Sequence, residues 1–120
     1  MTSTVTYLGD LRTNATHLAS KSEFITDAPI DNQGKGEAFS PTDTVATALA
    51  SCLLTILGIK GDNLQIDLTG TTAAVTKVMG VEPRRIIEVK IDVTFLKGFD
   101  SKTQNFLERA ALKCPVANSL

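Results

Sequence analysis

The spacing of apolar and polar residues changes several times along the chain. Thr4-Val5-Thr6-Tyr7 is rich in β-branched and aromatic residues and predicts a strand, stopped by the turn pair Gly9-Asp10. Residues 12–18 predict the returning arm of a hairpin, and residues 23–26 a third strand. Residues 28–39 gather Pro29, Gly34 and Gly36 among polar residues and predict a loop.

A helix begins abruptly after that loop. Ser40 suits the N-cap and Pro41 the first helical position. Asp43 stands three residues after the cap, where it can return a hydrogen bond to the helix start. From Thr44 to Ile59 the chain is apolar nearly all round, and Gly58 or Lys60-Gly61 is expected to close the helix. A helix without a wet face must be buried on most sides. In a chain of 120 residues, a wrapped sheet or a partner subunit has to supply the cover.

Residues 64–68 and 73–78 predict two strands separated by Thr69-Gly70, and residues 79–85 a turn. Ile87, Val89, Ile91, Val93 and Phe95 alternate with polar residues and predict a strand with one solvated face. Asp100 or Ser101 can cap a second helix, with Phe106, Leu107, Ala110 and Ala111 as its apolar stripe. Cys114-Pro115 ends that helix and can open a further short turn. The order of strands, buried helix, strands and helix predicts an α+β class in a single domain, residues 1–120.

Composition narrows the function. Twelve basic and 13 acidic residues leave a net charge of -1, giving no general attraction for nucleic acid or anionic lipid. With no Trp, one Tyr and five Phe, base-stacking platforms are not expected. The longest apolar run, residues 45–59, is shorter than the roughly 20 residues that span a bilayer. The N-terminal residues lack a basic region followed by an apolar core, so a cytoplasmic location is expected. In that reducing setting a cysteine pair points to catalysis or metal binding before a structural disulfide.

Cys52 and Cys114 are the strong nucleophiles available. Cys52 lies within the apolar helix, where it can serve as a small core residue or a buried thiol. Cys114 precedes Pro115, where a helix N-terminus would lower its pKa. A metal site is not expected, because His17 is the one histidine and no short ligand spacing occurs. Three arginines are candidates to face a thiolate: Arg12 beside the first turn, and Arg84 and Arg85 before the alternating strand. Glu37 and Asp43 flank the start of the apolar helix.

The run from Gly36 to Asp43 (GEAFSPTD) continuing into Ala48-Leu49-Ala50-Ser51-Cys52 resembles the central-helix motif of the OsmC/Ohr family. Pro83-Arg84-Arg85-Ile86 before a strand and Cys114-Pro115-Val116 after a helix resemble it too. The resemblance implies antiparallel sheets wrapped around a long central buried helix in an intertwined homodimer. It implies a thiol-dependent peroxidase that reduces organic hydroperoxides in oxidative stress defence. Cys52 is then the reactive thiol, Cys114 the resolving thiol and Arg12 the N-terminal arginine of the site. A dithiol or redox protein would act as reductant, and no metal or organic cofactor is implied. The hydroperoxide-resistance branch places glutamate directly after the helix proline, where this chain has Thr42, with Asp43 one step later. That difference motivates an alternative: a non-redox module of the same fold that binds an apolar small molecule or acyl chain.

Overall fold

The computed structural model describes residues 1–96 and 98–120. They form two compact units, Met1–Val45 and Ala46–Leu120. In the first unit, β1 (Ser3–Gly9), β2 (Arg12–His17) and β3 (Glu23–Asp27) make an antiparallel sheet in chain order. Asp10 and Leu11, with φ of 53° and 62°, are both left-handed and form the two-residue loop between β1 and β2. Left-handed backbone is uncommon for leucine, and this loop fixes the chain just where Arg12 begins β2. The register then sets Arg12 opposite Asp27.

The predicted loop at residues 28–39 is a loop with a single 3₁₀ turn, Ile30–Asn32. It folds back on the end of β3, where the Asp27 N–H donates to the Phe39 carbonyl at 3.0 Å. Gly34 sits so close to Ala28 that a Cβ would overlap the Ala28 carbonyl, so only glycine fits this return.

The helix α1 (Pro41–Asn63) starts as its sequence predicts. The Asp43 N–H donates to Ser40 Oγ at 3.1 Å, and the Ser40 N–H donates to Asp43 Oδ2 at 3.0 Å. Two N–H groups that the helix cannot satisfy itself are thereby paired. Its other end departs from expectation. The helix runs through Gly58 and Gly61, and residues 64–68 form a turn and irregular chain, not a strand. The stop comes from Gln65, left-handed at φ 57°. The Ile66 N–H donates to the Gly61 carbonyl and the Gln65 N–H to the Asp62 carbonyl, the paired bonds of a Schellman closure. Gly61 serves packing instead: a Cβ there would lie 2.9 Å from Leu68 Cδ1.

At 23 residues, α1 is long and apolar enough to cross a membrane by length and composition, which the 15-residue run alone is not. It is also less covered than an all-apolar helix needs. Ala46, Ala50, Leu57 and Gly61 are its buried residues, whereas Val45 is 39% and Ile59 51% exposed. Burying one such side chain contributes about 1.5–3 kcal/mol, so the single chain leaves a large part of this helix's stabilisation unused.

In the second unit, β4 (Thr72–Gly80) and β5 (Arg85–Thr94) form an antiparallel hairpin. The expected alternation holds for Val89, Ile91 and Val93 and fails at Ile87, which is 56% exposed. A bulge is the reason: Val78 pairs with Glu88 and Met79 with Ile86, so Ile87 is the extra residue and the face switches. Arg85 braces the connecting turn, with Nη1 donating to the Val81 and Pro83 carbonyls, each at 2.9 Å. Leu53 and Leu57 of α1, Ile91 and Val93 of β5, and Ala111 line a cavity of about 250 Å3.

The helix α2 (Ser101–Ala111) is capped by Asp100, whose carboxylate accepts from the Thr103 N–H at 2.7 Å. Leu107 and Ala110 are buried, Ala111 is half-buried and Phe106 is 46% exposed. Cys114 continues the inward stripe at helical spacing and then caps α3 (Pro115–Ser119), with Pro115 at its first position.

The reciprocal cap makes Ser40 the start signal of α1. Ser40→Ala removes the acceptor of the Asp43 N–H at a buried position, and a loss of about 1–2 kcal/mol is expected in urea denaturation.

Candidate active site: a thiol pair and a clamped arginine

The second unit brings the two cysteines together. Cys52 projects from the middle of α1 and is half-buried; Cys114 comes from the α2–α3 junction and is 1% exposed. Both are free thiols, and they interact through their sulfurs. Cys114 also points its S–H at the Leu49 carbonyl, one turn before Cys52, at 4.0 Å.

Their ionisation is shared. The Cys52 pKa is raised, chiefly by its S–H being held against the Cys114 sulfur. For Cys114, burial pushes the pKa up. The Cys52 S–H and the backbone N–H groups of Ala117 and Val116 at the start of α3 outweigh it, and the net direction is down. The first proton is therefore lost from the pair at lower pH than from an isolated thiol. The second is resisted by the charge already present.

The first unit carries the charged constellation. Arg12 Nη2 donates to Asp27 Oδ2 at 3.3 Å and to Glu37 Oε2 at 3.0 Å. The Arg12 side chain is 33% exposed, Asp27 is fully buried and Glu37 is 59% exposed. The Arg12 pKa is raised, first by its hydrogen bond to Asp27. The Asp27 pKa is lowered, first by the Glu37 backbone N–H, which donates to Oδ2 at 3.0 Å, and then by Arg12.

Of the residues singled out in the sequence, Cys52 and Cys114 are thus neighbours, and Arg12 and Glu37 are partners. Asp43 is a helix cap, Arg85 braces a turn, and His17 bonds Ser20 Oγ at 2.6 Å on the exposed hairpin end. Asp27 carried no sequence signal. It reads as the last residue of a short strand, and only the register against Arg12 reveals it. Among the described residues no cluster of three or more His, Cys, Asp or Glu residues could hold a metal ion.

The depressed Asp27 pKa fixes a sign for the acid limb of stability. Its contribution is complete above the ordinary carboxylate pKa near 3.8 and is lost as pH falls through the lower folded value. Thermal unfolding of the wild type is expected to drop more steeply below about pH 4 than that of Asp27→Asn. Parallel curves would contradict the assignment.

No curated protein sequence matches the chain. The family model for OsmC-like proteins matches residues 34–120. A crystal structure from Psychrobacter arcticus, described as an osmotic stress induced and detoxification response protein, is similar at 62% identity and a TM-score of 0.97. That match covers 100% of this chain and 88% of that one. An organic hydroperoxide resistance protein from Vibrio cholerae, with captopril in one of its active sites, aligns at 16% identity and a TM-score of 0.74. It covers 99% of this chain and 83% of that one. A Legionella pneumophila protein described as an organic hydroperoxide resistance protein OsmC gives 15% identity and a TM-score of 0.68, covering 99% of this chain and 88% of that one. At those identities the last two show the fold alone. The family match over residues 34–120, with a near-superimposable relative along the whole chain, makes this an α+β protein of the OsmC-like family.

Proposed function

We propose that the protein is a thiol-dependent peroxidase that reduces organic hydroperoxides, as the resemblance to the hydroperoxide-resistance proteins implies. The observation that carries this reading is the interaction of two free thiols on α1 and the α2–α3 junction. Cys52 is the more exposed sulfur and the one a peroxide can reach, whereas Cys114 is buried. A proton moving along the S–H···S contact turns the Cys114 thiolate into a Cys52 thiolate without requiring water.

The Cys52 thiolate then attacks the outer peroxide oxygen. An S–O bond forms, the O–O bond breaks, and the alkoxide takes the proton now on Cys114 and leaves as the alcohol. By the family resemblance, the cation that favours the thiolate and the leaving oxygen is Arg12. Cys114, a thiolate again, attacks the sulfenic sulfur; the S–S bond forms, the S–O bond breaks, and hydroxide leaves with a solvent proton as water. A small dithiol or a redox protein reduces the disulfide by thiol exchange. Cys52 sits in an apolar stretch of α1, which suits an alkyl or lipid hydroperoxide.

The assembly in this reading is a homodimer. A second copy covers the apolar positions of α1 that one chain leaves open, such as Val45 and Ile59. Light scattering at micromolar concentration is expected to give twice the 12.8 kDa chain mass. A monomer would count against it.

Intact mass spectrometry tests the chemistry. One equivalent of cumene hydroperoxide is expected to remove about two mass units from the wild type, as two hydrogens are lost in the disulfide. Cys114→Ser should stop with one added oxygen, and Cys52→Ser should show neither change. Wild-type thiols left unreactive, with an apolar ligand retained through purification, would favour the binding-module reading.

A further inference from the structure

We propose that Asp27 is the positioning residue that fixes the Arg12 guanidinium for its role. This rests on the reading of Arg12 as the cation that serves the thiolate. Three observations converge on Asp27. The register sets it opposite Arg12, and Arg12 emerges directly from two left-handed residues, so the backbone beneath the guanidinium has little freedom. Asp27 is fully buried, and its Oδ2 takes both the Glu37 N–H and Arg12 Nη2. Its Oδ1 is also buried and, among the described residues, has no hydrogen-bond partner.

A buried carboxylate that takes one cation also contributes to the fold, since removing it leaves that partner unpaired. What Asp27 does provide is a fixed anion, charged across the neutral range and anchored by a backbone N–H. Glu37 also holds Arg12, but it is 59% exposed, so water and salt screen its grip. Asp43, the acid nearest the start of α1, returns its carboxylate to the Ser40 N–H. The two carboxylates on Arg12 are therefore unequal: Asp27 sets its place and Glu37 assists.

The test reads the arginine directly and the chemistry separately. In protein labelled with 15N-arginine, Arg12→Lys assigns the Arg12 Nε–H resonance. That resonance is expected to be distinct and restricted in the wild type, averaged toward free arginine in Asp27→Asn, and nearly unmoved in Glu37→Gln. Stopped-flow oxidation by cumene hydroperoxide should slow by about tenfold or more in Asp27→Asn, with no added loss when Arg12 is already Ala. An unmoved Arg12 resonance in Asp27→Asn, or an equal rate loss in the Arg12→Ala background, would overturn the proposal.

Should Asp27→Asn fail to fold by circular dichroism, Asp27→Glu keeps the charge one methylene away. A restricted but shifted Arg12 resonance supports the proposal in that variant, and an unmoved one overturns it. A wild type that ignores hydroperoxide, but whose Arg12 resonance depends on Asp27, leaves the positioning standing and removes the peroxidase reading alone.

Discussion

An apolar helix that one chain cannot cover sets the terms for this molecule. Nearly every residue of α1 from Thr44 to Ile59 is small or hydrophobic, yet only four residues along it are buried. Apolar area left in water is stabilisation forgone, and the helix also carries Cys52. The helix that leaves apolar surface uncovered is thus the one that holds half of the thiol pair.

The sulfur pair answers a problem that such a helix creates. Burial opposes ionisation of a thiol. Placing a second thiol against the first divides one proton between two sulfurs, and the first turn of α3 adds backbone N–H groups aimed at them. The charge thus has support within the second unit alone. In the first unit, an arginine is held by one buried and one exposed carboxylate, a distribution that gives it a fixed place without sealing it from solvent.

The end of α1 and the face of β5 illustrate where local pattern misleads. Glycine is the usual helix terminator, and Gly58 and Gly61 were natural candidates. Gln65 closes the helix instead, because the returning segment 66–68 packs on Gly61, where a side chain would collide. Ile87 fits a strict two-residue period but is exposed, because a bulge inserts one residue and reverses the face. Neither outcome is encoded in a short window. Each depends on a partner segment several residues away.

The chain by itself determined the elements whose cause is local. These are the Ser40-Pro41-Asp43 start of α1, the hairpin at Gly9, the alternating run of β5, the Asp100 cap and the junction at Cys114-Pro115. It also determined the candidates, since Cys52, Cys114 and Arg12 stand out by type and setting. Tertiary structure alone decided which candidates act on one another. Cys52 and Cys114, 62 positions apart, interact because the α2–α3 junction comes back to the middle of α1. Asp27 joins Arg12 because strand pairing fixes a register that no periodicity announces. Caps and alternation arise from neighbours in sequence, whereas an ion pair or a sulfur contact across the fold exists only once the backbone has brought its partners together.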